Sequence, residues 1–182
     1  AIIVLQDHIK PDALETFEWF KKNGVEIKVI SGDNSITVSE IAKQAGIPNA
    51  ENYASLEDMS VEEVKAIASK YTVFGRVTPE QKEAIVMALK ENKDNTVAMT
   101  GDGVNDILAL KRADCSIAMA SGSQAARNVS HIVLLDSNFS HLPDVVGEGR
   151  RVVNNIQRTS ALYLVKVILA MVLTAAIIIT TL

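Results

Sequence analysis

Short β-branched runs alternate with amphipathic segments over the first 140 residues. The pattern predicts strands at Ile2–Leu5, Val25–Ile30, Thr72–Phe74, Thr96–Met99, Cys115–Ala118 and Ile132–Leu134. Between them, apolar residues recur at helical spacing over Pro11–Asn23, Ile36–Gln44, Val61–Ser69, Thr78–Asn92, Asn105–Lys111 and Ser123–Asn128. Strand–helix alternation at this spacing predicts a doubly wound, mostly parallel α/β sheet. Several boundaries carry their own signals. Pro11 opens a helix that Asn23-Gly24 closes, and Gly46 with Pro48 ends the helix from Ile36. Thr78-Pro79 combines an N-cap with proline at the first helical position, and Gln81 stands at the capping-box position.

After Gly149 the pattern changes. Arg150-Arg151 and Arg158 lead into Ala161–Leu182, where Lys166 is the single charge in 22 residues. As a helix this segment is roughly 33 Å long, against roughly 30 Å of bilayer hydrocarbon. Its 12 Leu, Ile and Val residues sum to roughly −5 kcal/mol of insertion free energy, more than the roughly 3 kcal/mol that one lysine costs. Lys166 is near the N-terminal edge and can snorkel. The expected organisation is a domain over 1–140, a stalk over 141–160 and a transmembrane helix over 161–182. The arginines place the N-terminal side, residues 1–160, in the cytoplasm. Without Pro or Gly after position 149, the helix is expected to run as one rod.

Composition narrows the chemistry. A net charge of −4 and a pI near 5.4 argue against a nucleic-acid groove and suit a cation or a metal-bound phosphate. Aromatics are only 4%, too few for base-stacking platforms. The single Cys115 cannot form an internal disulfide, and its apolar setting fits a buried side chain in a reducing compartment. His8, His131 and His141 lack metal-ligand spacing. No signal peptide is evident, and the chain reads as a piece of a longer protein.

Three motifs at strand ends carry the candidate chemistry. Ser31-Gly32-Asp33-Asn34 follows a strand, and its hydroxyl and backbone N–H groups suit a phosphoryl oxygen. Alone it equally suits an ordinary capped turn. Gly75-Arg76 with Thr78 to Lys82 places a lysine on the first turns of a helix, where a solvated role is the default. The third motif, Thr100-Gly101-Asp102-Gly103-Val104-Asn105-Asp106, is the most specific. Asp102 at a strand end suits Mg²⁺, which takes one or two carboxylates plus waters and phosphate. Asn105 can donate to a phosphoryl oxygen. Asp106 returns to the same rim, and two acids so close need a cation between them.

The runs KVISGDN (28–34), FGRVTPEQK (74–82) and MTGDGVNDILALKRADCSIAMASGS (99–123) closely resemble the phosphorylation domain of P-type cation-transporting ATPases. These are membrane pumps on the haloacid-dehalogenase-like fold. LLDSNFSHLPDVVGEGRRVVNNIQR (134–158) is similar to their link into a membrane helix, and 161–182 to that helix. The resemblance implies that Ser31, standing where the family usually has Thr, hydrogen-bonds the phosphoryl group. Gly32 and Asp33 then shape the loop near phosphate and nucleotide, and Arg76 lies near the nucleotide. It further implies that Lys82 neutralises phosphoryl charge, Asp102 ligates Mg²⁺, Asn105 contacts phosphate and Asp106 supports the metal site. ATP would be the substrate of the parent pump. The acidic, Cys-poor pattern looks more like the calcium and other hard-cation branches than the heavy-metal branch.

The same resemblance defines what is missing. The family's nucleophilic Asp opens a DKTGT motif, and no such motif occurs here. The inserted nucleotide-binding domain, the actuator domain and the other membrane helices are also absent. By analogy the missing strand lies between those carrying Ser31 and Asp102, so a sheet with a gap, a repaired register or a strand supplied by a partner chain is expected, and the isolated chain is expected to lack ATPase activity. The competing readings are a soluble Mg²⁺-dependent phosphatase of the same fold and a truncated membrane-anchored binding module.

Overall fold

The computed structural model describes residues 9–92 and 94–181, which fall into two compact units divided after Ser140. The predicted strand at Ile2–Leu5 lies outside the described residues. In the first unit, α1 (Ala13–Lys22) is followed by β1 (Val29–Ile30), α2 (Ser35–Gln44), β2 (Tyr53–Ser55), α3 (Val61–Ile67), β3 (Val73–Gly75) and α4 (Pro79–Glu91). The second half holds β4 (Ala98–Gly101), α5 (Ile107–Arg112), β5 (Cys115–Met119), α6 (Gln124–Val129) and β6 (Ile132–Leu134). All strand pairs are parallel. They form two three-stranded sheets, in the orders β1-β3-β2 and β4-β5-β6.

Alternation along β3 sets up two cores. Val73 faces Val38, Ala42, Ala45, Ile47 and Ala50, which α2 and the chain after it bring together. Phe74 faces the other way, into Leu56, Val64, Ala68, Val77, Ala84 and Ile85 from α3 and α4. Successive side chains of a strand point to opposite faces, so one short central strand anchors helices on both sides. The second sheet repeats the plan with Ala118 against Leu110 and Ala126. Helix α4 serves both halves: Ala84 and Ile85 join the first core, while Val86 packs with Ala109 and Ala113.

Polar contacts fix the connections. The capping box at Thr78 and Gln81 forms as expected. Gln81 is itself buried, and its Nε2 donates to the carbonyls of Leu56 (3.0 Å) and Met59 (2.8 Å). One side chain therefore caps α4 and ties it to the loop after β2. Asn138 Nδ2 donates to Asp12 Oδ2 at 3.0 Å. Hydrogen bonds from Ser140 and then Asn138 hold the Asp12 carboxyl below its usual value, which fastens the chain after β6 to the start of α1.

Several boundaries differ from expectation. Strand β1 keeps only Val29–Ile30 of the predicted Val25–Ile30, because pairing to β3 begins only where Val29 meets Val73. Strand β2 has no sequence signal: Tyr53 and Ser55 are exposed, and its three residues are held by pairing to β3. The helix predicted from Asn105 opens instead with a 3₁₀ turn at Val104–Asp106 before α5 begins. Among the described residues the register is not repaired by direct pairing of the strands that precede Ser31 and Asp102. Strands β1 and β4 are each the edge of their own sheet and do not pair with each other. Both are only half-buried or exposed, whereas β3 is buried throughout.

The second unit is one helix, α7 (Leu142–Thr181), of 40 residues. It is continuous, as the absence of Pro and Gly after position 149 predicts. It holds a window of mean hydropathy 2.6, long and apolar enough to cross a membrane.

Asp114 supplies a pH test of the second sheet. Its Oδ1 pairs with Lys90 Nζ at 2.8 Å, and its Oδ2 accepts the Val97 N–H at 2.9 Å just before β4. The Lys90 hydrogen bond first, and the Val97 N–H second, lower its pKa from the ordinary value of 3.8. The folded state thus binds this proton less readily than the unfolded chain. Its stabilisation is full above the ordinary aspartate value and fades as pH falls through the lowered one. Asp114→Asn is expected to lower the urea midpoint at pH 7 and to flatten the pH dependence of unfolding below about pH 4. Circular dichroism of the chain in detergent across pH 2–7 checks this, and an unchanged acid slope would count against it.

Candidate active site

The site residues sit on turns at the C-terminal ends of parallel strands, where α/β sheets bind ligands. After β1, the Ser31 hydroxyl accepts the Asp33 N–H at 3.1 Å and lies 3.4 Å from Asp33 Oδ2. Asn34 caps α2 by accepting the Ile36 N–H at 3.0 Å. Gly32 and Asp33 are exposed on this turn. The turn is pinned from β3: the Val77 N–H donates to the Ser31 carbonyl at 3.1 Å, and the Arg76 N–H to the Asp33 carbonyl at 2.8 Å. Arg76 adopts φ 55°, a left-handed conformation that a non-glycine residue holds only when its surroundings fix it. Those two hydrogen bonds do the fixing.

Beyond β4, the acidic motif is held from three directions. Lys82 Nζ, reaching from the first turns of α4, meets Asp106 Oδ1 at 2.7 Å, and both side chains are nearly buried at 13% and 10% exposure. The Gly103 N–H donates to Asp106 Oδ2 at 3.2 Å. Asp106 therefore has both carboxylate oxygens engaged within the protein. The cation that Asp106 requires is the Lys82 ammonium. A Cβ on Gly101 would lie 2.6 Å from the Asp106 Cβ, so glycine is needed where β4 ends.

Asp102 and Asn105 are exposed at the same turn. Among the described residues no group bonds the Asp102 carboxylate or the Asn105 amide. The backbone of Asp102 is fixed: its carbonyl accepts the Ser123 N–H at 2.7 Å. Gly122 lets that loop approach, since a Cβ there would come within 2.5 Å of the Asp102 carbonyl oxygen. The loop after β5 is the part of the site that motif reading missed. Its signal was the small-residue run Ala120-Ser121-Gly122-Ser123.

The structure thus links the predicted residues into two groups. Ser31, Asp33 and Arg76 are tied by backbone bonds at the ends of β1 and β3. Lys82, Asp106 and Gly103 are tied at the end of β4, beside Asp102 and Asn105. Helix α4 joins them, because Val77 binds the first group and Thr78 starts the helix that carries Lys82. Among the described residues no cluster of three metal-ligating side chains occurs. An exposed, unbonded carboxylate at Asp102 fits Mg²⁺, an ion that keeps waters and phosphate oxygens in its shell and asks for few protein ligands.

Parallel strands with helices on both faces, and acid-bearing turns at the strand ends, define a Rossmann-like α/β hydrolase-type domain. Residues 1–114 match the haloacid dehalogenase-like hydrolase family, and the chain belongs to that family. It is 49% identical over 173 residues to the calcium-transporting ATPase CtpE of Mycobacterium tuberculosis, a match covering 95% of this chain and 22% of that protein. It is 45% identical to the probable cation-transporting ATPase exp7 of Streptococcus pneumoniae, with the same coverage. Among solved structures it resembles a zinc-transporting PIB-type ATPase in an E2.Pi state, with a TM-score of 0.64 and 26% identity over 84% of this chain and 21% of that one. The catalytic domain of the CPx-ATPase CopB-B gives a TM-score of 0.59 and 30% identity over 75% of this chain and 45% of that one. The chain spans about a fifth of the length of the curated relatives it matches (22%). With these relatives and the apolar length of α7, the chain is an integral membrane segment whose hydrolase-like unit is cytoplasmic.

The ion pair makes a direct prediction. Lys82→Met strands Asp106 in a nearly buried site and is expected to destabilise the first unit by about 3 kcal/mol. Adding Asp106→Asn, which keeps an acceptor for Gly103, is expected to recover much of that loss. Urea unfolding of the two single variants and the double variant measures the coupling, and additive losses would refute it.

Proposed function

We propose that this chain is part of an ATP-driven cation pump and carries the metal- and phosphate-holding half of its aspartyl-phosphorylation site. The observation that carries the reading is the unbonded Asp102 carboxylate beside the buried Lys82–Asp106 pair. Similarity to calcium- and cation-transporting ATPases over 95% of the chain supports it.

In this reading Asp102 holds Mg²⁺, and the bound ion supplies charge neutralisation at the phosphoryl group. Asn105 and the Ser31 hydroxyl donate to phosphoryl oxygens. Lys82 contributes positive potential from α4 while it holds Asp106, and Asp106 keeps the turn after β4 in one conformation. Gly32 and Asp33 shape the phosphate-side loop, and Arg76 faces the nucleotide. ATP is the phosphoryl donor. Catalysis of this kind works by positioning and electrostatics, not by covalent chemistry from these side chains.

The nucleophilic aspartate belongs to a strand that fits between β1 and β4, contributed by another part of the same pump. Residues 141–160 form the stalk and 161–182 the membrane helix. The nucleotide-binding and actuator domains and further membrane helices are the partners. The transported ion is a hard cation, with Ca²⁺ the leading candidate because CtpE is named for it. A 40-residue helix whose C-terminal half is apolar enough to cross a membrane counts against a free-standing soluble phosphatase.

The test is Mg²⁺-dependent phosphoenzyme formation from labelled ATP. In the full-length protein Asp102→Asn is expected to lower its rate about 10²- to 10³-fold. The 182-residue chain alone is expected to form none. Turnover of a phosphate ester by the isolated chain would instead support the phosphatase reading.

A further inference from the structure

The loop after β5 fixes the backbone of Asp102, and that loop is itself held. Its four successive N–H groups all donate: Ala120 to the Leu134 carbonyl at 2.9 Å, Ser121 to Ser137 Oγ at 2.9 Å, Gly122 to the Met119 carbonyl at 3.0 Å and Ser123 to the Asp102 carbonyl at 2.7 Å. Three of these four acceptors are backbone carbonyls, which any sequence would supply. The fourth is the Ser137 hydroxyl, which only this side chain supplies.

Ser137 closes the turn after β6, its N–H donating to the Leu134 carbonyl at 3.1 Å. Its φ is 53°, in the left-handed region. Glycine is the favoured residue at the last position of such a turn, because a Cβ is unfavourable in that conformation. A hydroxyl is what serine brings there and glycine lacks, and the Ser121 N–H engages it. The turn is anchored in its own right. Lys10 Nζ donates to the Ser137 carbonyl at 3.2 Å, and Asn138 Nδ2 to Asp12 Oδ2 at 3.0 Å. An anchored turn thus clamps the loop after β5, and that loop clamps the turn after β4.

We propose that Ser137 is a positioning residue for the Mg²⁺ ligand Asp102, acting through Ser121 and Ser123. The proposal rests on Asp102 holding Mg²⁺, as in the pump reading above. Among the described residues no group bonds the Asp102 carboxylate, so its aim is set through its backbone. Groups that orient a metal ligand from outside the coordination shell govern affinity nearly as strongly as the ligand itself. Without the Ser137 hydroxyl the Ser121 N–H loses its acceptor and the loop loosens. The Asp102 carboxylate is then no longer held at one place. The consequence is weaker metal binding, with little change in the chemical step once the metal is bound.

The test uses the full-length protein, with Mn²⁺ as the probe of the Mg²⁺ site, read by electron paramagnetic resonance. The site is defined as the binding lost in Asp102→Asn. Ser137→Gly keeps the left-handed backbone and removes the hydroxyl. It is expected to weaken Mn²⁺ binding about tenfold and to raise the Mg²⁺ needed for half-maximal phosphoenzyme formation by the same factor. The rate at saturating Mg²⁺ should change little. Ser137→Asn tolerates the left-handed backbone and returns an acceptor, so it is expected to bind Mn²⁺ nearly as wild type does. Deuterium exchange in Ser137→Gly is expected to quicken over residues 119–123 and to stay at the wild-type rate around β3. Wild-type Mn²⁺ affinity in Ser137→Gly overturns the proposal. Equal weakening in both variants, or faster exchange throughout the domain, overturns it too. Mn²⁺ binding that survives Asp102→Asn unchanged overturns the metal assignment of the pump reading instead.

Discussion

A nearly buried ion pair joins the two halves of the cytoplasmic unit. The sheets do not pair with each other among the described residues, so their relation rests on helix packing and on Lys82 reaching from α4 to Asp106. Burying two charges is costly and is repaid only when geometry and extra hydrogen bonds are good. Here the separation is 2.7 Å, and the Gly103 N–H takes the second carboxylate oxygen. That arrangement is less useful as a source of stability than as a means of fixing register. It sets where the turn after β4 stands relative to α4, and hence where Asp102 presents its carboxylate.

Helix α4 is the element through which this constraint spreads. Its N-terminus is capped by Thr78, with Gln81 holding the loop after β2. Its middle contributes to the cores of both sheets. The residue before the cap, Val77, binds the turn that carries Ser31. A shift of α4 would therefore move the Ser31 turn and the Asp106 turn together. Two strand-end loops that share no strand pairing are in this way kept as one site.

Much of this was legible in the sequence, and the omissions have physical causes. Long amphipathic patterns with strong caps gave helices within one or two residues, as at Pro79–Glu91. Strand β2 was invisible because its three residues are mostly exposed and are held by β3, not by their own pattern. The acidic motif was legible as a strand-to-helix turn, and Gly-Asp-Gly followed by Asn-Asp does stand between β4 and α5. Its internal wiring was not legible. Sequence alone does not show that Lys82 is committed to Asp106, nor that Gly122 and Ser123 from a loop two elements later hold the Asp102 backbone.

Among the described residues β1 and β4 each stand at a sheet edge with a strand on one side only. Exposed edges of parallel strands are unfavourable because their backbone groups lie open to any extended segment. In the proposed pump reading, a strand from another part of the same protein covers the half-buried side chains of β1 and β4, which contrast with the fully buried β3.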